Sequence, residues 1–271
     1  MNMGISERAI THQRIQPLAA LLATLRLMRD PQDTRQVFRL TEALRGRSTK
    51  IMFDRFAATP TGAKILAEQR SLLAALADRA HLATLPEGSL GRHYLAFMAE
   101  ENLSAQGLVD LATENMKMMK STNDELKIYA GRMRDMHDLY HVLAGYGRDE
   151  LGEVCVLAFS YPQQKIRSFL VISTLGMLHI WRTLRAAGFD ASRVRDAVRE
   201  ARHNGRNAAW LPGEDIEAML GMDLQALRAK YNIPSPVVYE EVIARLRRES
   251  GTTSGPLKEA AMNKLSRAHA D

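Results

Sequence analysis

The sequence has little cysteine, few aromatic residues and no long apolar run. Cys155 is the single cysteine among 271 residues. No internal disulfide can form, a Cys-based zinc ribbon is excluded, and a reducing compartment is expected. Aromatic residues make up 6% of the chain. β-Branched or aromatic runs with strict alternation do not appear, so strand signals are scarce. The longest uncharged apolar run, Ser168 to Trp181, has 14 residues. As a helix it would rise only ~21 Å, short of the ~30 Å hydrocarbon core of a bilayer, and no membrane-spanning helix is expected. Before residue 250 there is no internal repeat, no low-complexity block and no Pro/Gly/Ser-rich seam long enough to separate two cores.

What is present points to helices. Hydrophobic residues are 46% and charged residues 25% of the chain, which suits a globular core and excludes global disorder. Lys and Arg number 37 against 31 Asp and Glu, a net charge of +6. That excess suits phosphates, lipid headgroups or other acidic ligands without naming one; no nucleic-acid partner is expected. Ile15, Leu18, Leu22, Leu25 and Met28 recur at three- and four-residue steps and predict an amphipathic helix over 15–29. Core packing is the ordinary role of such a stripe, and membrane or partner contact is the alternative. Arg8, Arg14 and the stretch Pro17 to Leu25 resemble a signal peptide only weakly, because the stretch is short and ends at Arg26.

Thr59-Pro60 reads as an N-cap and first helical residue. Ser89 can cap a helix through Leu103, and Thr122 or Asn123 can cap one that begins near Asp124. Asn204-Gly205 reads as a helix stop. Pro234 and Pro236 break the pattern before a last helix at 237–249. The expected architecture is all-α: a single helical domain over residues 1–250, then a flexible tail, 251–271, introduced by Gly251 to Pro256.

The chemistry concentrates between Met133 and Phe159. His137, Asp138, His141 and Glu153 form the pattern H-D-x-x-H-x(11)-E. At 100° per residue, Leu126, Tyr129, Met133, Met136, Tyr140 and Ala144 share one helix face, the expected core stripe. His137 lies on its inner edge, His141 lies ~40° further round, and Asp138 lies ~60° beyond that. The chain turns at Gly145 to Gly147, and a second helix can start near Arg148, with Glu153 in its second turn. An antiparallel return over so short a loop would bring Glu153 opposite the histidines, a metal site between the two helices of the pair. Two neutral imidazoles and two carboxylates suit a divalent cation: Zn²⁺ above all, with Fe²⁺, Co²⁺ or Mn²⁺ also compatible. Two histidines four apart also occur at core boundaries, hydrogen-bonded locally. A zincin would need H-E-x-x-H, and here Asp138 holds the glutamate's place, one methylene shorter. Histidine-aspartate phosphohydrolases draw further ligands from distant helices, and no such set is evident.

The long motif resembles the signature of the Coq-four family, proteins of coenzyme Q (ubiquinone) biosynthesis. Leu85 to Phe97 is similar to the family's P-E-G-S-L-G-R-x-Y segment, in residues Pro86 to Tyr94. Weaker similarity extends over Asp54 to Leu66, Asn204 to Arg206 and Leu224 to Pro236. The resemblance covers residues 35–240. It implies an all-helical protein peripheral to membranes, acting at C1 of a polyprenylated 4-hydroxybenzoate-type precursor. There the carboxyl group is lost and replaced by a hydroxyl, an oxidative decarboxylation that depends on a divalent metal. Carried over, His137, Asp138, His141 and Glu153 would be the metal ligands and the catalytic centre. Other quinone-biosynthesis proteins would be partners, a homodimer is a family-level expectation, and the location would be cytoplasmic at the membrane surface. The chain departs from the eukaryotic pattern in its start, in its tail and in the details of the 145–149 turn. A non-catalytic lipid-binding scaffold and an unrelated metallohydrolase remain the alternatives.

Other residues have two readings each. Ser168 to Trp181 is expected to be a buried core helix. Alternatively it lines a groove for a polyprenyl tail, with Phe169 and Leu170 among the wall residues. Arg92 follows the P-E-G-S turn and would face the site on the family reading. Arg195, Arg199, Arg202 and Arg206 form a solvated face or a headgroup contact. Met116 to Met119 is read as adaptable packing, and Cys155 as buried and inert.

Overall fold

A computed structural model describes residues 15–29, 34–99 and 124–250. Among them every regular element is helical, and the one strand-like pairing is an isolated bridge between Ser89 and Asp223. In chain order the helices are α1 (Pro17–Arg29), α2 (Thr34–Leu44), α3 (Ser48–Ala57), α4 (Pro60–Ala67), α5 (Leu72–Ala77), α6 (Arg79–Thr84), α7 (Leu90–Ala99), α8 (Asp124–Ala144), α9 (Glu150–Gln164), α10 (Arg167–Ala186), α11 (Val194–Asn207), α12 (Ile216–Met219), α13 (Leu224–Lys230) and α14 (Val237–Ser250). No helix among the described residues is long and apolar enough to cross a membrane. The predicted tail, the Thr122 and Asn123 caps and the Met116 to Met119 cluster lie outside the described residues.

The chain divides into two compact units, each assembled from segments distant in sequence. The first draws on Gly46–Leu143 and Ala208–Ile233. Thr59 caps α4 as the sequence predicts, its hydroxyl accepting from the Gly62 N–H at 2.9 Å. Pro60 fills the first helical position, where a missing N–H costs nothing. Ser89 caps α7 through the Arg92 N–H at 3.3 Å. The Pro86 to Gly91 stretch is stitched to residues 220–224: Leu90 and Gly91 donate to the Met222 and Leu220 carbonyls at 2.9 and 2.8 Å, and Leu224 donates to Gly88 at 2.9 Å. A Cβ on Gly91 would stand 3.0 Å from the Leu220 carbonyl oxygen, so the lack of a side chain there suits this approach. Tyr129 on α8 takes the rings of Phe56 and Phe53 at 5.3 and 5.8 Å between centroids. Arg132, 2% exposed, is held by a two-pronged ion pair with Glu217 at 2.6 and 2.9 Å. Burying a guanidinium is tolerable only with a partner of this geometry.

The second unit comprises Ile15–Arg45, Ala144–Asn207 and the stretch from Pro234. Here α1 packs on α2 through Ala20, Ala23, Leu40 and Ala43, with Val171 and Ile172 of α10 against them. The stripe read as core is therefore turned outward: Leu18 is 70% exposed, and Ile15, Leu21, Leu22 and Leu25 are exposed too. The small alanine face allows close helix approach, and a leucine face would hold the axes apart.

Two further expectations change. The apolar run on α10 is not a buried core helix. Ser168, Ser173, Ile180 and Leu184 are its buried residues, whereas Phe169, Leu170, Leu175, Met177 and Leu178 are half-buried. Asn204-Gly205 does not stop α11, which runs on to Asn207. Gly205 serves contact instead, since a Cβ there would lie 2.1 Å from the Phe159 carbonyl oxygen. Gln163 donates to the Gly205 carbonyl at 2.7 Å across the same contact. After Pro234 and Pro236, α14 begins at Val237 as predicted.

Removing one partner of a buried ion pair strands the other, so Glu217→Ala is expected to cost about 3 kcal/mol in denaturant unfolding. Cys155 is fully buried, and burial pushes its thiol well above the ordinary range, with Asp149 and Glu200 adding to the effect. The native protein should therefore leave a disulfide-exchange reagent such as DTNB unreacted at pH 8, and one thiol per chain should react after unfolding in guanidinium.

Candidate metal centre

Helix α8 begins at Asp124 with Asp124 and Glu125 in its first turn, where acidic groups oppose the positive end of the helix dipole. Its predicted core face is buried throughout: Leu126, Tyr129, Met133, Met136, Tyr140 and Ala144. The two histidines lie beside this face, their rings 5.0 Å apart and nearly perpendicular. Angular position alone puts His137 deeper, yet His141 is the more buried, at 1% exposure. The cause is α7, whose Phe97 stacks on the His141 ring at 5.2 Å and 30°. Arg228 on α13 closes the end of α8, donating to the carbonyls of Leu143 and Val142 at 2.9 and 3.0 Å. A guanidinium there satisfies terminal carbonyls and opposes the negative end of the dipole.

Helix α9 starts at Glu150, two residues later than the sequence suggests, because Asp149 is its cap. Asp149 Oδ1 accepts from the Leu151 and Gly152 N–H groups at 3.1 and 3.0 Å. Glu153 is consequently in the first turn rather than the second, its own N–H donating to the Asp149 carbonyl at 2.9 Å. The turn before it is tight: a Cβ on Gly152 would lie 2.0 Å from the Gly147 oxygen.

His137, His141 and Glu153 each offer a ligand atom, and these atoms lie within 4.8 Å of one another. The cluster could hold a metal ion. Two atoms bound at ~2.1 Å to one ion stand at most ~4.2 Å apart. Two imidazoles and one carboxylate leave coordination positions open, the pattern of reactive rather than structural sites. Asp138 is not part of the group, in keeping with its place ~60° beyond His141 on the helix. It is half-buried, as is Asp135 three residues before it. Burial raises the Asp135 carboxyl against the pull of Arg134, 2.6 Å away.

The other predicted residues are distributed as follows. Arg92 is half-buried and donates to the Ala83 carbonyl at 2.8 Å. Phe169 and Leu170 stand half-buried on the first turn of α10. Arg195, Arg199 and Arg206 are exposed, with Asp196 within 3.9 Å of Arg195 and 3.8 Å of Arg199, while Arg202 lies over the Tyr161 ring at 5.3 Å. Sequence reasoning passed over Phe97, Arg228, Asp149 and Tyr239. Only Asp149 had a local signal, an N-cap residue directly before an acidic first turn.

A family model described as "Coenzyme Q (ubiquinone) biosynthesis protein Coq4" matches residues 8–237. The chain is 29% identical over 205 residues to the human "Ubiquinone biosynthesis protein COQ4 homolog, mitochondrial", covering 76% of this chain and 73% of that protein. The Bos taurus homologue of the same name is 28% identical over 207 residues, covering 76% and 74%. In fold, a crystal structure of a Nostoc punctiforme protein superposes with a TM-score of 0.60 at 18% identity, covering 82% of this chain and all of that one. The family model spans far more than half of the chain, and the chain belongs to the Coq4 family of coenzyme Q (ubiquinone) biosynthesis proteins.

Proposed function

We propose that this protein performs the C1 step of ubiquinone biosynthesis, the metal-dependent oxidative decarboxylation of a polyprenylated 4-hydroxybenzoate-type precursor at a membrane surface. The observation that carries this reading is the His137, His141 and Glu153 cluster in a chain of this family. His137, His141 and Glu153 would hold the divalent ion, and Asp138, on the same flank of α8, would accept a hydrogen bond from a ligand or bound water. When bound, the ion supplies Lewis acidity at the open positions, or redox chemistry if it is iron. Replacing an aryl carboxyl by hydroxyl releases CO₂ and removes two electrons, so an oxidant of the dioxygen class must take part.

Two surface features support the membrane part. Ile15, Leu18, Leu21, Leu22 and Leu25 form a contiguous exposed apolar face on one short segment, larger than scattered surface leucines would give. Arg26 and, on α2, Arg35 and Arg39 are exposed, the charge that anionic lipid attracts. Half-buried Phe169, Leu170 and Met177, within ~100° of one another round α10, offer an apolar wall for a prenyl tail. Each buried CH₂ of such a tail contributes ~0.8 kcal/mol, so the tail would dominate affinity and the ring would supply orientation. The exposed face would serve a lipid-binding scaffold equally well, and the two readings diverge at Glu153.

Metal analysis of the purified protein is expected to find near-stoichiometric divalent metal, lost in the His137→Ala/His141→Ala double variant. In a deletion strain, wild type should restore quinone, whereas Glu153→Gln should accumulate a prenylated ring that keeps its C1 carboxyl. Full restoration by Glu153→Gln would establish the scaffold role instead. Leu18→Glu/Leu22→Glu should reduce binding to anionic vesicles at least tenfold with secondary structure unchanged by circular dichroism, because two charges replace the most lipid-accessible apolar contacts.

A further inference from the structure

Within the second unit, one side chain far away in sequence grips the turn that sets Glu153. The Tyr239 hydroxyl, on the first turn of α14, donates to Asp149 Oδ2 and accepts from the Gly147 N–H at 2.9 Å. It thus ties together both sides of the 147–149 turn. Asp149 uses its other oxygen, Oδ1, on the amides of Leu151 and Gly152, and its carbonyl takes the Glu153 N–H. These bonds at the first turn of α9 converge on Asp149, a residue that Tyr239 holds.

The grip is itself anchored. The Tyr239 ring packs edge-on against Tyr146, centroids 5.4 Å apart, and the residue is 5% exposed. Glu200 on α11 accepts the Val238 N–H at 3.0 Å, pinning the start of α14 and with it the direction of the tyrosine. Gly147 leaves the space the hydroxyl needs, because a Cβ there would lie 2.7 Å from it. Burial beside a carboxylate raises the Tyr239 hydroxyl well above its ordinary range, so it stays a proton donor at all working pH values. Phenylalanine would fill the same volume but leave the Gly147 N–H and Asp149 Oδ2 without this partner.

We infer that Tyr239 is a positioning residue for the Glu153 carboxylate: through Asp149 it fixes the first turn of α9, and thereby the carboxylate's place beside the two imidazoles. The inference rests on the metal reading above and deepens it. Partners that orient first ligands without touching the ion commonly set its affinity by 10–100-fold.

The test uses Co²⁺ titrated into the full-length protein, followed by its visible absorption, which reports ligand number and geometry. Wild type, Tyr239→Phe, Asp149→Ser and their double variant are compared, with Val242→Ala as the control for lost packing in α14 away from the turn. Serine keeps a helix cap at position 149 but is too short to reach the tyrosine. Tyr239→Phe and Asp149→Ser should each weaken Co²⁺ binding about tenfold or more and alter the spectrum. The double variant should lose no more than either single one, because one interaction is removed in all three. Amide exchange at 150–153 should quicken in the same variants, and Val242→Ala should leave affinity and spectrum as in wild type. Unchanged Co²⁺ binding in Tyr239→Phe overturns the inference, and so does an equal loss in Val242→Ala or additive losses in the double variant. If Tyr239→Phe does not fold, Asp149→Ser against Val242→Ala decides it by the same criteria. Wild type that binds no Co²⁺ overturns the metal reading and this inference together, a result distinct from each of the others.

Discussion

Helix α9 is gripped at backbone distance by glycine. A Cβ on Gly205 would strike the Phe159 carbonyl oxygen at 2.1 Å and one on Gly152 would meet the Gly147 oxygen at 2.0 Å, while one on Gly176 would meet the Val154 side chain at 2.5 Å. Where backbone meets backbone, as at Gly205 and Gly152, a shift of α9 cannot be absorbed by a side-chain rotation. Glu153 inherits that rigidity at one end, and Gln163 reinforces it at the other by its bond to the Gly205 carbonyl. On the proposed reading the Glu153 carboxylate serves beside two imidazoles, a role that needs placement to within about half an ångström, and rigid helices hold more closely than loops.

Helix α8 meets the same demand differently. Its histidines are steadied by an aromatic stack from Phe97 and by Arg228 at the helix end. The buried pair Arg132–Glu217 and the aromatic contacts at Tyr129 anchor the middle and the start of the helix. Within each unit the candidate donor groups therefore sit on helices held by interactions unrelated to metal binding. Away from the centre, apolar side chains are left uncovered on α1 and half-covered on α10. Both features suit a protein whose proposed substrate has a lipid tail.

Legibility in the sequence followed range. Helix α8 was readable from end to end, because six apolar residues at helical spacing define one face whatever the surroundings. The caps at Thr59 and Ser89 were readable because a cap is settled within three residues. His137, Asp138, His141 and Glu153 stand out together by spacing, and the structure brings ligand atoms of His137, His141 and Glu153 within 4.8 Å of one another. The motif gives adjacency along the chain, whereas a shared ligand position depends on the angle round the helix. Asn204-Gly205 misled for a related reason: glycine signals both helix ends and close approach, and only the neighbouring carbonyl of Phe159 says which.

The amino-acid sequence by itself determined the helical class, the apolar stripe of α8, the principal breaks and the imidazole and carboxylate donors, since these depend on local periodicity and on residue chemistry. The tertiary structure decided which face of α1 is buried, how far α10 is covered and why His141 lies deeper than His137. It also placed Tyr239 against a turn ninety residues away. Those outcomes depend on what each helix packs against, and a chain that buries alanine in one place and exposes leucine in another has followed the shape of the neighbouring helix rather than its own hydrophobicity.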